Sequence, residues 1–231
     1  MSPVVVELFT SQGCSSCPDA DALLSRWGKE GFAQGRVLPL SYNVDYWDHL
    51  GWKDLFSSPA YSRRQHDYAR TLGVGVYTPQ IVVAGRSALV GSDEARLRRE
   101  VGRIQPGTAT SRVRLSAADS PQVKLTVRVD PIPPGKDDLH VMLALFENDL
   151  VTEVRAGENA GSTLRNDFVV RRLRDLGACP QNGCRKAVAE AWDPSWRKSR
   201  GGAAVFLQDI RTLEILDAAW LYPLSSRAPA R

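Results

Sequence analysis

The chain has 231 residues, of which 43% are hydrophobic and 24% are charged, and its net charge is +4. This composition is sufficient for a sizeable apolar core and excludes an intrinsically disordered chain. No basic stretch carries interleaved aromatic residues, so we expect no nucleic-acid partner. No apolar run approaches the roughly 20 residues that a membrane-spanning helix needs, and we expect no membrane span.

The first residues give information on the compartment. Residues 1–9 have neither the basic start nor the small-residue cleavage site of a signal peptide. We expect either a cytoplasmic protein or a periplasmic protein whose leader has been removed, and the sequence leaves both alternatives open.

Strand-like and helix-like segments alternate over about the first 105 residues. The hydrophobic patterns predict strands at 4–9, 37–44, 81–84 and 89–90, and helices at 14–27, 58–72 and 93–104. This alternation is typical of a parallel or mixed sheet with helices on its faces. We therefore predict an α/β domain over residues 1–107.

The pattern changes after residues 105–111, whose sequence QPGTATS is typical of a linker. Residues 123–129 then alternate strictly between apolar and polar, which predicts an antiparallel strand with one solvated face. Further strands are predicted at 140–146, 168–171, 203–208 and 215–220. Several short strands separated by turns predict an antiparallel, β-sandwich-like domain over residues 108–231.

Cys14 and Cys17 lie between the first predicted strand and the first predicted helix. The free N–H groups and the dipole of a helix N-terminus favour a thiolate, which is the attacking species in disulfide exchange. We expect Cys14 to be the more exposed nucleophile and Cys17 the resolving cysteine. The alternatives are structural cysteines, or half of a zinc site completed by Cys179 and Cys184.

Cys179 and Cys184 are separated by the turn-like sequence PQNG. This short connection allows a local disulfide. We predict that this second pair is closed in an oxidising compartment and is structural.

Residues 4–17, together with residues 74–85, resemble the thioredoxin superfamily, in which a Thr-Pro pair faces the dithiol. The resemblance implies a thioredoxin-like N-terminal domain with a cis peptide bond before Pro79. It also implies that the backbone at Tyr77 and Thr78 pairs with an extended substrate peptide. The alternative is a trans proline that begins an edge strand.

The same resemblance draws attention to Glu7, because thioredoxins bury a carboxylate on the strand that leads into the dithiol. There it accepts a proton from the second cysteine. A Glu that points out from the edge of the sheet is an equal alternative.

A more specific likeness rests on several motifs: VELFTSQGCSSCP at 6–18, VDYWD at 44–48, LGWKD at 50–54, YTPQ at 77–80 and GENAGSTL at 157–164. Together they resemble the bacterial domain of unknown function 1223 family. The resemblance implies the fold of nearly the whole chain, and the exported appearance of many members implies a periplasmic location. Within the last motif, residues 157–159 are expected to cap a turn; the alternative is that they reach back to the N-terminal domain.

Asp45, Trp47 and Trp52 follow the second predicted strand. Sites in open α/β sheets form at this carboxyl edge, so we expect the three residues near the dithiol. The tryptophans would hold a peptide or small thiol, and Asp45 would orient a loop or move a proton. The alternative is a small core beneath a long insertion.

These patterns predict a thiol–disulfide oxidoreductase that acts on a protein or small-molecule thiol with an unidentified redox partner. We expect no bound cofactor and no resident metal. The alternatives are a protein that handles Cu(I) through Cys14 and Cys17, and a redox-inert binding module. A histidine packed near the dithiol would favour copper, and a dithiol covered by protein would favour the inert module. A buried carboxylate behind Cys17 together with an open groove at Pro79 would favour exchange.

Overall fold

A computed structural model describes residues 2–33, 35–104, 112–118, 123–132, 135–136 and 138–224. The predicted linker at 105–111 and the domain boundary at 107 lie outside the described residues. Within the described part, no helix has the length and apolar character that crossing a membrane requires.

The N-terminal half alternates strands and helices as predicted. Its strands are β1 Val4–Thr10, β2 Val37–Asn43, β3 Gln80–Val83 and β4 Ser87–Val90, and its helices are α1 Pro18–Ala33, α2 Pro59–Leu72 and α3 Glu94–Arg103. A short 3-10 turn at Asp48–Leu50 follows β2. Ser58 caps α2 by accepting the Ala60 N–H at 3.3 Å, and Pro59 stands where the first helical turn needs no donor.

The C-terminal half contains mostly strands. They are β5 Val113–Ala118, β6 Val123–Val129, β7 Leu139–Glu147, β8 Leu150–Glu153, β9 Thr163–Asn166, β10 Val169–Ala178, β11 Cys184–Glu190, β12 Gly201–Asp209 and β13 Ile215–Leu221. A second 3-10 turn covers Lys198–Arg200. The bounds of β6 are those that the alternating pattern predicts.

One mixed sheet contains strands from both halves, in the order β13-β12-β7-β10-β2-β1-β3-β4. β1 and β2 are parallel, whereas β3 is antiparallel to β1 and to β4. β10 joins the halves through a parallel pair between Val169 and Ser41, which covers the outer edge of β2. The protein is thus a mixed α/β protein in which the sheet continues beyond residue 107.

The two faces of β1 pack against different helices. Val6 and Leu8 belong to a buried cluster with Leu23 and Leu24 of α1. Side chains alternate along a strand, so the neighbours of Val6 and Leu8 in β1 point to the opposite face of the sheet. Phe9 accordingly packs among residues of α2, so α1 and α2 cover opposite faces of the sheet.

A smaller sheet, in the order β11-β6-β5, packs on the C-terminal part of the large sheet. Val127 of β6 shares a buried cluster with Leu143 of β7 and Val205 of β12. This packing of sheet on sheet accounts for the one-sided alternation in β6. A separate hairpin, β8-β9, completes the described strands.

Candidate functional site

The CSSC loop, residues 11–17, connects the end of β1 to the start of α1. Cys14 and Cys17 form a disulfide with a Cα–Cα distance of 5.4 Å. The Cys17 carbonyl accepts the Asp21 N–H at 3.0 Å, which is the first helical bond after the loop. The sequence therefore places the disulfide at a helix N-terminus, as predicted.

Both cysteines of this loop are buried. Cys14 is 1% exposed and Cys17 is 0% exposed, whereas Ser15 and Ser16 between them are exposed. The sequence predicted an exposed Cys14. A segment far along the chain is hydrogen-bonded to the backbone of this loop.

That segment is the covering loop, residues 154–162, which connects β8 to β9. Asn159 Nδ2 donates to the carbonyl oxygens of Gln12 and Cys14, at 2.9 Å each. Glu158 Oε2 accepts the Ser15 N–H at 2.9 Å, and this bond lowers the pKa of the Glu158 carboxyl. Residues 157–159 thus reach back to the CSSC loop, which was the less favoured of the two sequence interpretations.

Trp52 also contacts the CSSC loop. Its Nε1 donates to Gln12 Oε1 at 3.1 Å, and Gln12 Nε2 donates to Thr152 Oγ1 of β8 at 3.0 Å. Gly157 has a φ of +76°, and a Cβ placed on it would lie 3.3 Å from Trp52 Cβ. Gln12 therefore connects the aromatic segment after β2 to the hairpin that carries the covering loop.

Trp47 lies between the CSSC loop and the Thr-Pro pair. Its Nε1 donates to Thr78 Oγ1 at 2.8 Å, and a Cβ on Gly13 would lie 3.3 Å from Trp47 Cβ. The Thr78–Pro79 peptide bond is cis, as the resemblance implied. The structure thus brings Trp47 and Trp52 to the CSSC loop and joins Trp47 to Thr78, which precedes Pro79.

Tyr77 and Asp45 are held mainly by α2. The Tyr77 carbonyl accepts Gln65 Nε2 at 2.7 Å, while the Tyr77 side chain is 36% exposed. Asp45 donates its N–H to Ser62 Oγ at 3.1 Å, and its Oδ1 accepts the Ser62 hydroxyl. The bonds of Asp45 therefore orient the start of the aromatic segment against α2.

Glu7 is buried on the α2 side of the sheet, away from α1. Its carboxylate accepts Arg64 Nε at 2.8 Å and Arg64 Nη2 at 3.1 Å, and also accepts the Tyr68 hydroxyl. These contacts place Glu7 in a structural ion pair and do not link it to the dithiol.

Asp21 is a buried carboxylate that the sequence analysis did not single out. It lies one helical turn after Cys17, and its Oδ2 accepts the Thr10 hydroxyl at 3.1 Å. Burial and the charge of Asp54 raise its pKa to about 8, although bonds with Thr10 and Asn166 oppose the shift. Within the described residues, Asp21 Oδ1 has no hydrogen-bond partner.

No sequence signal distinguished Asp21 from an ordinary residue of a first helical turn. Acidic residues are common there because they complement the helix dipole, and Asp19 stands in the same turn. The raised pKa depends on burial and on the nearby charge of Asp54, neither of which local sequence reveals.

Asp54 binds the backbone of the CSSC loop. Its Oδ2 accepts the Gln12 N–H and Asn43 Nδ2, at 2.8 Å each, and its Oδ1 accepts the Phe56 N–H at 2.9 Å. Burial raises the pKa of Asp54, while these bonds lower it. The LGWKD motif therefore supplies Trp52 and Asp54 to the same loop.

The second cysteine pair is remote from these contacts. Cys179 and Cys184 form a disulfide with a Cα–Cα distance of 5.4 Å, and Cys179 belongs to the apolar cluster between the two sheets. In the part of the chain that the structure describes, no three His, Cys, Asp or Glu side chains are arranged to hold a metal ion.

Comparisons with known proteins show what the chain is similar to. A protein of Agrobacterium tumefaciens, AGR_C_4864, is 27% identical, with a TM-score of 0.77 over 100% of this chain and 99% of that chain. HBP35 of Porphyromonas gingivalis is 15% identical, with a TM-score of 0.69 over 95% of this chain and 74% of that chain, which shows similarity of fold alone. A search of curated proteins finds no match. The family model described as "Protein of unknown function (DUF1223)" matches residues 5–208, and the chain therefore belongs to the DUF1223 family.

Proposed function

We propose that the protein catalyses thiol–disulfide exchange, with Cys14 as the nucleophile and Cys17 as the resolving cysteine. The observation that carries the proposal is the disulfide between these cysteines at the start of α1, directly after a buried central strand. The dipole and free N–H groups of a helix N-terminus favour the thiolate that such exchange requires.

We further propose a thioredoxin-like unit over residues 1–107, followed by a β-rich unit over 108–231. The strand order β2-β1-β3-β4, with β1 and β2 parallel and a helix after each of β1, β2 and β4, supports the first unit. Sheet-on-sheet packing supports the second. Disulfides persist in oxidising compartments, so we propose that the reaction takes place in the periplasm.

The proposed reaction transfers two electrons. In the direction of substrate reduction, the Cys14 thiolate attacks a substrate disulfide, forms a mixed disulfide and releases one substrate thiolate. The Cys17 thiolate then attacks Cys14 Sγ, releases the second thiolate and closes the Cys14–Cys17 disulfide. The two released thiolates take protons, and two thiols of a reducing partner, which become a disulfide in the exchange, return the site to the dithiol.

Asp21 is the proposed proton acceptor for Cys17, in place of Glu7. Cys17 must lose a proton before it attacks the mixed disulfide, and a base works best when its pKa is near the working pH. Asp21 meets this condition, since its pKa is raised to about 8 by burial. Its N–H bond to the Cys17 carbonyl fixes the two residues one turn apart on α1.

Substrate binding is assigned to Trp47, Trp52, Tyr77, Thr78 and Pro79. Trp47 Nε1 and Thr78 Oγ1 are bonded at 2.8 Å, and the partly exposed ring of Tyr77 stands at the start of the same segment. An aromatic surface beside a reactive disulfide suits an extended peptide or a small organic thiol.

One observation favours a second candidate, a binding module that does not exchange disulfides. Cys14 is 1% exposed, so a substrate sulfur cannot reach it in this conformation. In this case the disulfide would only hold the CSSC loop in shape.

A disulfide-reductase assay on the full chain distinguishes the two candidates. We expect turnover of a protein or glutathione disulfide by wild type, loss of turnover in Cys14→Ser, and retained turnover in the control that replaces both Cys179 and Cys184 by Ser. Wild type as inactive as Cys14→Ser on every disulfide tried would contradict the proposal and favour the binding module.

A further inference from the structure

The covering loop brings a negative charge to the CSSC loop. Glu158 Oε2 lies 2.9 Å from the Ser15 backbone nitrogen, which is bonded directly to the carbonyl carbon of Cys14. Glu158 is exposed, and its carboxylate is bonded to the backbone N–H and to the side chain of Ser15. The carboxylate therefore stands beside the residue proposed as the nucleophile.

Asn159 fixes the position of Glu158. Its side chain is 8% exposed and donates to two CSSC-loop carbonyls, at 2.9 Å each. The turn that carries it is closed by Ser162 N–H to the Asn159 carbonyl at 3.1 Å and Gly161 N–H to the Val154 carbonyl at 2.8 Å. The contact of Glu158 with Ser15 thus belongs to a loop that is anchored at several points.

We propose that Glu158 is a positioning residue that keeps the Cys14–Cys17 pair in its disulfide form, by placing its charge beside Cys14. Reduction of the disulfide takes up two electrons and two protons and gives two thiols. Release of the Cys14 proton to solvent then creates a second negative charge near the carboxylate, and like charges disfavour each other. The reduced form therefore gains less from thiolate formation than it would beside a neutral side chain.

Other charges approach the same loop. Asp54 binds the Gln12 N–H, and Asp21 follows Cys17 on α1. Both carboxyls are buried, whereas Glu158 is exposed and ionised. Glu158 is therefore the carboxylate whose removal changes the charge beside Cys14 most directly without disturbing buried packing.

This inference rests on the proposed function and concerns the regulation of the same Cys14–Cys17 site. Any movement that lifts the covering loop removes the Glu158 charge and releases the Cys14 carbonyl at the same time, since one loop carries both Glu158 and Asn159. Binding of a disulfide substrate over the CSSC loop would therefore also favour the reactive thiolate.

The test compares Glu158→Gln with Glu153→Gln, a matched control that removes an exposed charge from β8 in the same hairpin. Each full-length protein is reduced with a phosphine, and the pKa of Cys14 is read from the ultraviolet absorbance of the thiolate. We expect Glu158→Gln to lower that pKa by about half a unit to one unit. At pH 8 the equilibrium with glutathione should shift towards the dithiol by about three- to tenfold, and Glu153→Gln should change neither quantity.

A Glu158→Gln protein with wild-type pKa and equilibrium, or an equal shift in Glu153→Gln, would overturn the inference. Glutamine retains an oxygen that accepts the Ser15 N–H, so loss of structure alone does not mimic the expected result. The thiolate titration needs only reduced protein. It therefore tests Glu158 even where wild type turns over no disulfide, which is the outcome that would contradict the proposed function instead.

Discussion

Two buried carboxylates lie on opposite sides of the central strand β1, and their surroundings differ. Glu7 faces α2 and is paired with Arg64, whereas Asp21 on α1 accepts a neutral hydroxyl from Thr10. Burial penalises the charge of both groups, but Glu7 has a bidentate cation to offset the penalty. The sequence resemblance pointed to Glu7 as the proton acceptor, while the contacts favour Asp21.

Removal of Arg64, the cation that pairs with Glu7, tests the surroundings of Glu7. We expect this change to have the largest effect on stability. Arg64→Met leaves the Glu7 carboxylate buried without a charged partner, so the free energy of unfolding should fall by about 3–5 kcal/mol. Chemical denaturation at neutral pH measures this loss. The control Arg70→Met removes a largely exposed arginine from the same helix and should change stability little. An equal loss in both variants would contradict the assignment of Glu7 to a structural pair.

The pH dependence of stability tests the surroundings of Asp21. Because the folded state raises the pKa of Asp21 from 3.8 to about 8, its folded form holds a proton that the unfolded form releases, and stability falls as pH rises between these values. Asp21→Asn removes this penalty. The variant should match wild type near pH 4 and exceed it by about 2–4 kcal/mol above pH 8.

Denaturation curves of wild type and Asp21→Asn across this pH range measure the difference directly. Asp19→Asn serves as the control, since Asp19 stands in the same helical turn. A difference between wild type and Asp21→Asn that does not change with pH would contradict the raised pKa.

The same Asp21→Asn change should slow the second exchange step. Without a proton acceptor near Cys17, resolution of a mixed disulfide at neutral pH should slow by about 10- to 100-fold. Stopped-flow release of the second substrate thiol measures this rate. Glu7→Gln should leave the rate near that of wild type wherever the variant is folded, and the reverse order of the two effects would restore Glu7 as the proton acceptor.

A change in the covering loop should have the smallest effect, which is on the rate at which Cys14 reacts. Asn159→Ala removes two hydrogen bonds to the CSSC loop, so Cys14 of the reduced protein should react with a small alkylating agent about three- to tenfold faster. Mass spectrometry of quenched samples gives the rate. Asn148→Ala, a change of another buried asparagine whose side chain accepts the Phe168 N–H and not a bond of the CSSC loop, provides the control. Equal rates in Asn159→Ala and wild type would show that the loop does not limit access.

Local patterns predicted the elements of the N-terminal half but missed β5, β8, β9 and β11 of the C-terminal half, and they did not predict the long-range pairing. Residues 123–129 form the strand that their alternation predicts, because a one-sided sheet leaves a clear period of two. The pairing of Val169 with Ser41 joins residues far apart in the chain. The pairing covers the open edge of β2, and no local sequence pattern reveals that edge.

The candidate site shows the same limit. The CSSC sequence, the Thr-Pro pair and the tryptophans could be recognised locally, and Trp47 and Trp52 are near the loop as expected. Asn159 reaches Cys14 across 145 positions of sequence, and no local feature distinguishes such a contact from a turn cap. The burial of Cys14 likewise has no local signal in the sequence and was missed.

Trapping of a mixed disulfide tests the proposed exchange at Cys14 most directly. Cys17→Ala protein, reduced and mixed with glutathione disulfide, should retain one glutathione on Cys14, detected by mass spectrometry of the intact protein and of its peptides. The variant that replaces both Cys14 and Cys17 by Ala should carry none. Absence of the adduct on folded Cys17→Ala protein, under conditions in which a free model thiol reacts, would contradict the assignment of Cys14 as the nucleophile.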